Sequence, residues 1–185
     1  MKAVFVSGLL FIMAIYTTAF PSKNKGMIDY RQLGDSLSLQ AQQALIKNLL
    51  SAVEKGGAAY AVDFCNENAA PLTKSLSQKY NVAIQRISAK NRNPNNTASP
   101  FDKKMLDLFN AGSLKDTLVS TSKGYVYYKP IKIGMPTCLQ CHGKPNRDIE
   151  TATLKTIQRH YRFDKATGYA MGELRGAWKL TFETP

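Results

Sequence analysis

Apolar residues recur every three or four positions between residues 37 and 53, which is the spacing of one buried face of a helix. Asp35 or Ser36 can cap the start of this helix, and the Gly56-Gly57 pair is typical of a helix end. The same spacing continues over residues 58–68 and predicts a second helix there. The first part of the chain is therefore predicted to be mainly helical.

The pattern changes near residue 81. Pro71 either stops the second helix or starts a third, shorter one that ends near Tyr80-Asn81. From Val82 to Ala89 the side chains alternate with a period of two, which predicts a strand. The following segment, residues 91–96, is rich in Asn and Pro and is predicted to be a loop.

The second half of the chain alternates between helical and strand patterns. Pro100 begins a helix, and residues 116–121 and 125–133 then form the two predicted strands of a hairpin. A short helix is predicted over residues 152–157 and a last strand over residues 174–182. This order of elements predicts an α+β domain with an antiparallel sheet and flanking helices.

The N-terminus has the pattern of an export signal. An apolar run from Ala3 to Ile15 follows Lys2, and cleavage is expected after Ala19. The run is shorter than the roughly 20 residues that a membrane-spanning helix needs, although an uncleaved membrane anchor is the alternative. We therefore expect a periplasmic protein without stable membrane insertion, consisting of a signal peptide over residues 1–19, a linker over residues 20–34 and one domain over residues 35–185.

Composition adds a strong positive charge to this picture. Among the 185 residues, Lys and Arg number 25 and Asp and Glu number 13, which gives a formal charge of +12. Such an excess suits nucleic acid, an anionic membrane or an acidic protein partner, and export argues against nucleic acid. The basic residues are scattered, as on a solvated surface. The expected partner is an unidentified redox or signalling protein, for which an acidic docking surface would be complementary.

The candidate chemistry centres on Cys138-Leu139-Gln140-Cys141-His142, a Cys-x-x-Cys-His pattern that marks covalent attachment of a c-type haem. Two thiols at this spacing can each add to a haem vinyl group. The adjacent His142 can then bind the iron as its proximal ligand, with Nδ1 free to donate to a backbone carbonyl. Together with the export signal, the pattern favours one covalently bound haem c.

Three alternatives compete with this interpretation of the motif: a thioredoxin-like dithiol, half of a zinc site, and coincidence. A dithiol active site opens a helix in a βαβ unit and does not require the following histidine. Zinc needs four ligands, and the chain offers only Cys65 and His160 to complete the set. Both specific alternatives are therefore less favoured than haem.

The second axial ligand of the iron stays open from residue chemistry alone. The chain has three cysteines, so Cys65 has no disulfide partner if Cys138 and Cys141 carry haem. Cys65 can equally be a small buried hydrophobic residue, as most free cysteines are. The candidates for this ligand are Cys65, Met105, Met135, Met171 and His160.

Two arginines around the Asn-Pro turn, Arg86 and Arg92, are candidates for binding the haem propionates. A guanidinium group forms a bidentate, charge-assisted hydrogen bond with a carboxylate, and a solvated surface position is the alternative for each. The sequence has no glycine-rich phosphate loop, and a Ser-His-Asp site is not credible because His142 is assigned to iron. We therefore predict that the protein is not an enzyme.

Several groups of residues, in a fixed order over most of the mature chain, carry a resemblance to a known family. They are Val62-Asp63-Phe64-Cys65-Asn66 with Ala70-Pro71-Leu72, Ile84-Gln85-Arg86-Ile87-Ser88, Asn91-Arg92-Asn93-Pro94-Asn95-Asn96, Tyr127-Tyr128-Lys129-Pro130-Ile131, Cys138-Leu139-Gln140-Cys141-His142-Gly143, and Asp164-Lys165-Ala166-Thr167-Gly168-Tyr169 with Gly172-Glu173-Leu174-Arg175-Gly176-Ala177. The chain resembles exported, single-haem c-type cytochromes with a PAS-like fold, catalogued as a domain of unknown function. The same domain is found as the sensing domain of some bacterial signalling receptors.

The resemblance implies a PAS-like antiparallel sheet with flanking helices, one covalent haem, and an axial pair formed by His142 and Cys65. A thiolate donates more charge to iron than a thioether does, so it favours ferric iron and its bond should weaken on reduction. A ligand that detaches on reduction, or yields to a small gas, is suited to sensing. The expected function is a periplasmic redox or gas sensing module, and the alternative is a soluble electron-transfer cytochrome with one haem.

Overall fold

Helices precede and flank a small sheet in the computed structural model, which describes residues 28–184. The predicted signal peptide and its cleavage site after Ala19 lie outside the described residues. Within them, no helix combines the length and the apolar character needed to cross a membrane. The elements, in chain order, are α1 (Tyr30–Tyr80), β1 (Ala83–Ile87), a short 3₁₀ helix (Pro94–Asn96), α2 (Pro100–Asn110), β2 (Thr117–Thr121), β3 (Gly124–Lys132), α3 (Pro136–His142), α4 (Thr151–His160) and β4 (Leu174–Glu183).

α1 begins at Tyr30, inside the segment predicted as a linker. Asp29 caps it, because its Oδ1 accepts hydrogen bonds at 3.0 Å from two backbone N–H groups of the first turn. Asp35, predicted as a cap, lies within the helix. Its carboxylate accepts a hydrogen bond from the Tyr127 hydroxyl at 3.2 Å and pairs with Lys129 Nζ at 2.5 Å. Asp35 therefore connects α1 to the sheet, and the cap lies one and a half turns earlier.

α1 is interrupted at Gly56-Gly57, as the sequence predicts. Gly57 has a φ of 73° and a ψ of −174°, a conformation essentially restricted to glycine. Pro71, by contrast, lies inside a helical segment that continues to Tyr80, so the prediction of a stop or a new helix there is wrong. Proline removes one helical hydrogen bond, and packing of α1 against α4 and the sheet compensates for that loss.

The sheet has four strands in the order β1-β4-β3-β2, and every neighbouring pair is antiparallel. The predicted hairpin is confirmed as β2 and β3, with Thr117 opposite Tyr128. β4 comes last in the chain yet lies between β1 and β3, so Trp178 is opposite both Arg86 and Lys129. The fold is therefore α+β, as predicted, with a four-stranded antiparallel sheet and flanking helices.

Both faces of the sheet are covered, because neighbouring residues of a strand point to opposite sides. Tyr127 packs with Trp178 in a cluster under α1, whereas Tyr128 packs in a cluster under α2. These three aromatic residues are at most 1% exposed. Gly34 of α1 lies so close to the Tyr127 ring that a Cβ there would overlap with it. The helix and the sheet are thus in direct contact where the core is formed.

One buried carboxylate connects α2 to the other face of the sheet. Asp102 is 3% exposed and forms a capping box with Ser99. Its Oδ1 also accepts a hydrogen bond from the Tyr128 hydroxyl at 2.8 Å and pairs with Lys179 Nζ at 2.9 Å. Burial by itself raises the pKa of Asp102, but the hydrogen bonds from Lys179, Ser99 and Tyr128 outweigh it, so the pKa lies below its usual value.

Replacing Asp102 with Ala should lower the free energy of unfolding by about 3 kcal/mol, because the Lys179 charge and the Tyr128 hydroxyl lose their partner inside the protein. Ser99→Ala, which removes only the cap, should cost about 1 kcal/mol. Urea unfolding at neutral pH measures both values. Equal losses for the two variants would contradict the network.

The loss of stability caused by Asp102→Ala should also depend on pH. The folded-state pKa of Asp102 is lowered, so its contribution to stability is fully present above the usual value of 3.8 and is lost as the pH falls through the folded value. The stability difference between wild type and D102A should therefore shrink at acid pH.

Candidate functional site

A cavity of about 490 Å³ lies between α1, the sheet and α3. The lining of the cavity is mainly apolar, and most of it comes from α1 and from the strands β1, β3 and β4. Residues that are far apart in the chain therefore meet at one place. All six site residues predicted from the sequence line this cavity, namely Cys65, Arg86, Arg92, Cys138, Cys141 and His142.

α3 places the reactive side chains of the Cys-x-x-Cys-His motif on one side of a helix. Cys141 and His142 follow Cys138 by three and four positions, and residues at these spacings share a helix face. Pro136 lies in the first turn, where its missing N–H costs nothing. At the end of the helix, Gly143 leaves no room for a larger residue, because a Cβ there would overlap with a neighbouring side chain. Seven residues are too few for a periodic pattern, so the sequence does not predict this helix.

His142 is oriented by the backbone and kept neutral. Its Nδ1 lies 2.7 Å from the carbonyl oxygen of Ala166, and because a carbonyl can only accept, Nδ1 carries the proton. Nε2 is then the ring nitrogen with a free lone pair. Burial, together with the positive charges of Arg175 and Arg92, lowers the pKa of His142 well below its usual value. The predicted hydrogen bond from Nδ1 to a backbone carbonyl is thus confirmed, and it leaves the form of imidazole that binds metal ions.

The three cysteines are free thiols, each half-buried. Burial raises the pKa of Cys65, and the positive charges of Arg86 and Arg92 oppose this rise. Burial also raises the pKa of Cys141 to about 11, again opposed by Arg92. Both thiols are therefore protonated at neutral pH in the protein alone. A metal ion in the cavity would favour the thiolate form instead.

The structure separates the five candidates for a second axial ligand. Cys65 and Met135 line the cavity. Met105 belongs to α2 and packs against the hydrophobic cluster between that helix and the sheet, and Met171 is 47% exposed. His160 is engaged elsewhere, since its Nε2 lies 2.5 Å from a carboxylate oxygen of α1. Of the five candidates, Cys65 and Met135 therefore remain, since both line the same cavity as His142.

The charged side chains on the cavity lining are all positive. They are Arg86, Arg92, Lys132 and Arg175, and among the described residues no Asp or Glu belongs to the lining. Arg175 is absent from the residues predicted from the sequence, although it lies in the last group that carries the family resemblance. It reaches the cavity only because β4 pairs with β1. An apolar cavity with this charge is suited to a ligand that is apolar in its body and anionic at one end.

The specific alternatives for the Cys-x-x-Cys-His motif do not fit this structure. Within residues 28–184, no group of three or more His, Cys, Asp or Glu side chains is placed to hold a metal ion, whereas a zinc site needs four ligands. A thioredoxin-like dithiol belongs to a βαβ unit with parallel strands, and the strand pairs here are antiparallel.

Comparison with known proteins gives the family of the chain. The model of the Tll0287-like family matches residues 21–182. The chain belongs to the Tll0287-like family. Among solved structures, this Tll0287-like chain is similar to the crystal structure of the cyanobacterial haem protein Tll0287, with a TM-score of 0.62 and 23% sequence identity. The alignment covers 85% of this chain and 98% of that chain. No curated protein sequence matches the chain.

The family match spans every residue assigned to the site of this Tll0287-like protein, from Cys65 to Arg175. The structural match shows that the two proteins share the α+β fold described above. The predicted α+β architecture, an antiparallel sheet with flanking helices, is thus confirmed, and the family that is shown is the Tll0287-like one.

Proposed function

We propose that this Tll0287-like protein is a c-type haem protein, in which Cys138 and Cys141 attach one haem covalently and His142 binds its iron. The observation that carries the proposal is the placement of two thiols and a neutral imidazole on one short helix, all lining a single cavity. The similar protein Tll0287 is a haem protein, which supports the same class of cofactor here.

The residues that line the cavity fit a haem in polarity and charge. The walls are largely apolar, which suits the faces of a porphyrin, and the charged lining is cationic, which suits two propionates. Nε2 of His142 is available for iron because Nδ1 is used by the Ala166 carbonyl. When bound, haem supplies an iron atom that changes oxidation state and binds small gases.

Cys65 would supply the second protein ligand to the haem iron. Burial raises the pKa of its thiol, but Arg86 and Arg92 act in the opposite direction and favour the thiolate that iron would bind. Met135, the other sulfur candidate, is the N-cap residue of α3 and so belongs to the same short segment as His142. Cys65 comes from α1, a different wall of the cavity. This placement suits a ligand that approaches the iron from another direction than His142.

A redox or gas sensor is the function that Cys65 supports best. A thiolate is held less strongly by ferrous than by ferric iron and can be displaced by a gas, so the position of Cys65 would depend on the signal. Two residues before it, Asp63 accepts a hydrogen bond from Arg159 at 2.6 Å and lies 2.5 Å from His160, both at the end of α4. A displacement of Cys65 can therefore alter the contact between α1 and α4, where a partner protein could detect it.

The proposed function also concerns the domain as a whole, its location and its partner. The sheet and its helices form a PAS-like haem domain that begins with α1 at Tyr30, without enzymatic activity of its own. Export by the segment of residues 1–19 places the protein in the periplasm. The formal charge of +12 makes an acidic surface the complementary one for a redox or signalling partner.

A soluble electron-transfer cytochrome with one haem is the second candidate function. The positive charge favours it, because such a surface accelerates encounter with an acidic redox partner. The two functions differ in what Cys65 does. An electron carrier keeps the same ligands in both oxidation states, whereas a sensor changes them.

Wild-type protein matured by a c-type haem attachment system should carry one covalent haem, measured as the added mass in intact-mass spectrometry. The double variant C138A/C141A should lose this mass completely, because no thiol remains on α3 to form a thioether bond. Cys65→Ala is the matched control and should keep the covalent haem. Absence of the haem mass from the wild-type protein would refute the proposed function.

Cys65→Ala should remove the thiolate character of the low-spin ferric signal in electron paramagnetic resonance, and it should raise the reduction potential because the ligand that favours ferric iron is lost. Met135→Leu removes the other candidate sulfur ligand on the cavity lining and should leave both measurements unchanged. If the spectrum is unchanged in C65A and altered in M135L, then Met135 is the ligand.

The ferrous wild-type protein should bind CO or NO with loss of the Cys65 ligand. The absorption spectrum of the haem measures this binding. C65A should bind the same gas faster, because no protein ligand has to leave first. A ferrous protein that binds neither gas and keeps its ligands on reduction would instead be the electron carrier.

A further inference from the structure

We infer that the cavity arginines have two different roles: Arg86 and Arg175 bind the carboxylates of the ligand, whereas Arg92 holds His142 in position. This assignment rests on the proposed haem function and goes beyond it, since it adds Arg175 and gives Arg92 another role than contact with a propionate. The three guanidinium groups differ in the partners that the protein itself provides.

Arg92 is already satisfied by partners in the protein. Its Nη2 donates to the Cys141 carbonyl oxygen at 2.6 Å and to the Asp164 carboxylate at 3.2 Å, and its Nε donates to the same carboxylate at 3.2 Å. The two side chains are only 12% and 9% exposed. Arg92 thus has a carboxylate partner within the protein, and its Nε and Nη2 donors are in use.

Arg86 and Arg175 have no such carboxylate. Arg86 forms no side-chain hydrogen bond or ion pair within residues 28–184, although burial is strong enough to lower its pKa. Arg175 Nη1 donates only to neutral acceptors, Ser88 Oγ at 2.9 Å and the Lys90 carbonyl at 3.0 Å. The Nε of Arg175 is buried without a partner in the described part of the chain. Neither guanidinium group therefore forms a salt bridge with a carboxylate in the described residues.

Both guanidinium groups are half-buried and have no carboxylate partner in the described residues, so an anion that enters the cavity would stabilise them. Haem carries two propionates, which match Arg86 and Arg175 in number and in charge. Lys132, the other cation of the lining, is exposed to solvent and does not need this compensation. The Arg175 guanidinium is also pre-oriented, because it lies 5.6 Å from the centroid of the Tyr169 ring.

Arg92 acts on His142 through the backbone of the loop before β4. Asp164 Oδ1, which pairs with Arg92, also accepts a hydrogen bond from the Ala166 N–H at 3.0 Å. The carbonyl of the same residue, Ala166, accepts the hydrogen bond from His142 Nδ1 at 2.7 Å. Since Arg92 also donates to the Cys141 carbonyl, it joins this loop to the last turn of α3. Arg92 is therefore a positioning residue for the imidazole.

The test uses the covalent haem protein and single variants of each arginine. R86Q and R175Q should each shift a propionate bending band in the resonance Raman spectrum, and R175Q should leave the ferric g values in electron paramagnetic resonance unchanged. R92Q and D164N should do the reverse, because they change the orientation of His142 and not the carboxylate contacts. R31Q, in an arginine whose side chain is 60% exposed, is the matched control and should change neither spectrum.

A propionate band that moves in R92Q, or that fails to move in either R86Q or R175Q, overturns the assignment. Where a Gln variant does not mature, the Lys variant is measured instead. It keeps the charge but not the bidentate geometry, so it should shift the same band by less, and an unchanged band counts against the assignment. Haem incorporation in the wild-type protein is established first by mass, so that failure of the proposed function is distinguished from failure of this assignment.

Discussion

The hydrogen bond from His142 Nδ1 to the Ala166 carbonyl, at 2.7 Å, is the contact on which the site depends. It determines the tautomer and the orientation of the imidazole, and it connects α3 to the loop before β4. The same loop makes two further backbone contacts, since Gly168 N–H donates to the Gly143 carbonyl at 2.8 Å and Tyr169 N–H donates to the His142 carbonyl at 2.9 Å. Ala166 is fully buried. One well-packed loop therefore sets the position of the short helix that carries both thiols.

The place of β4 in the sheet explains why the cavity has its unusual charge. β4 follows the loop and lies between β1 and β3, which brings Arg175 close to the end of β1. β1 itself carries Arg86 and leads into the segment of Arg92. The sheet thus concentrates positive charge at one side of an apolar cavity, and a ligand that neutralises this charge should stabilise the folded state relative to the unfolded chain.

The sequence by itself determined the features that depend on residues a few positions apart. The hairpin, the break at Gly56-Gly57 and the α+β class follow from periodicity and turn residues, which relate directly to local backbone geometry. The Cys-x-x-Cys-His motif is recognised from its spacing alone, but the short helix that places Cys138 and His142 on one face is not predicted. Local rules failed at two places. At Pro71, packing of the helix overrides the low helix propensity of proline, and at the start of α1 the Asp29 cap lies before the apolar pattern begins.

Only the tertiary structure decided which distant side chains meet at the motif. It placed Cys65 and Met135 on the cavity lining and removed Met105, Met171 and His160 from it, a choice that their chemistry left open. It also paired Arg92 with Asp164 and left Arg86 and Arg175 without a carboxylate in the described residues. These contacts join segments that are separated by tens of residues, and they depend on strand order and loop path. No local spacing encodes that order, because it is set by which surfaces pack together in the complete fold.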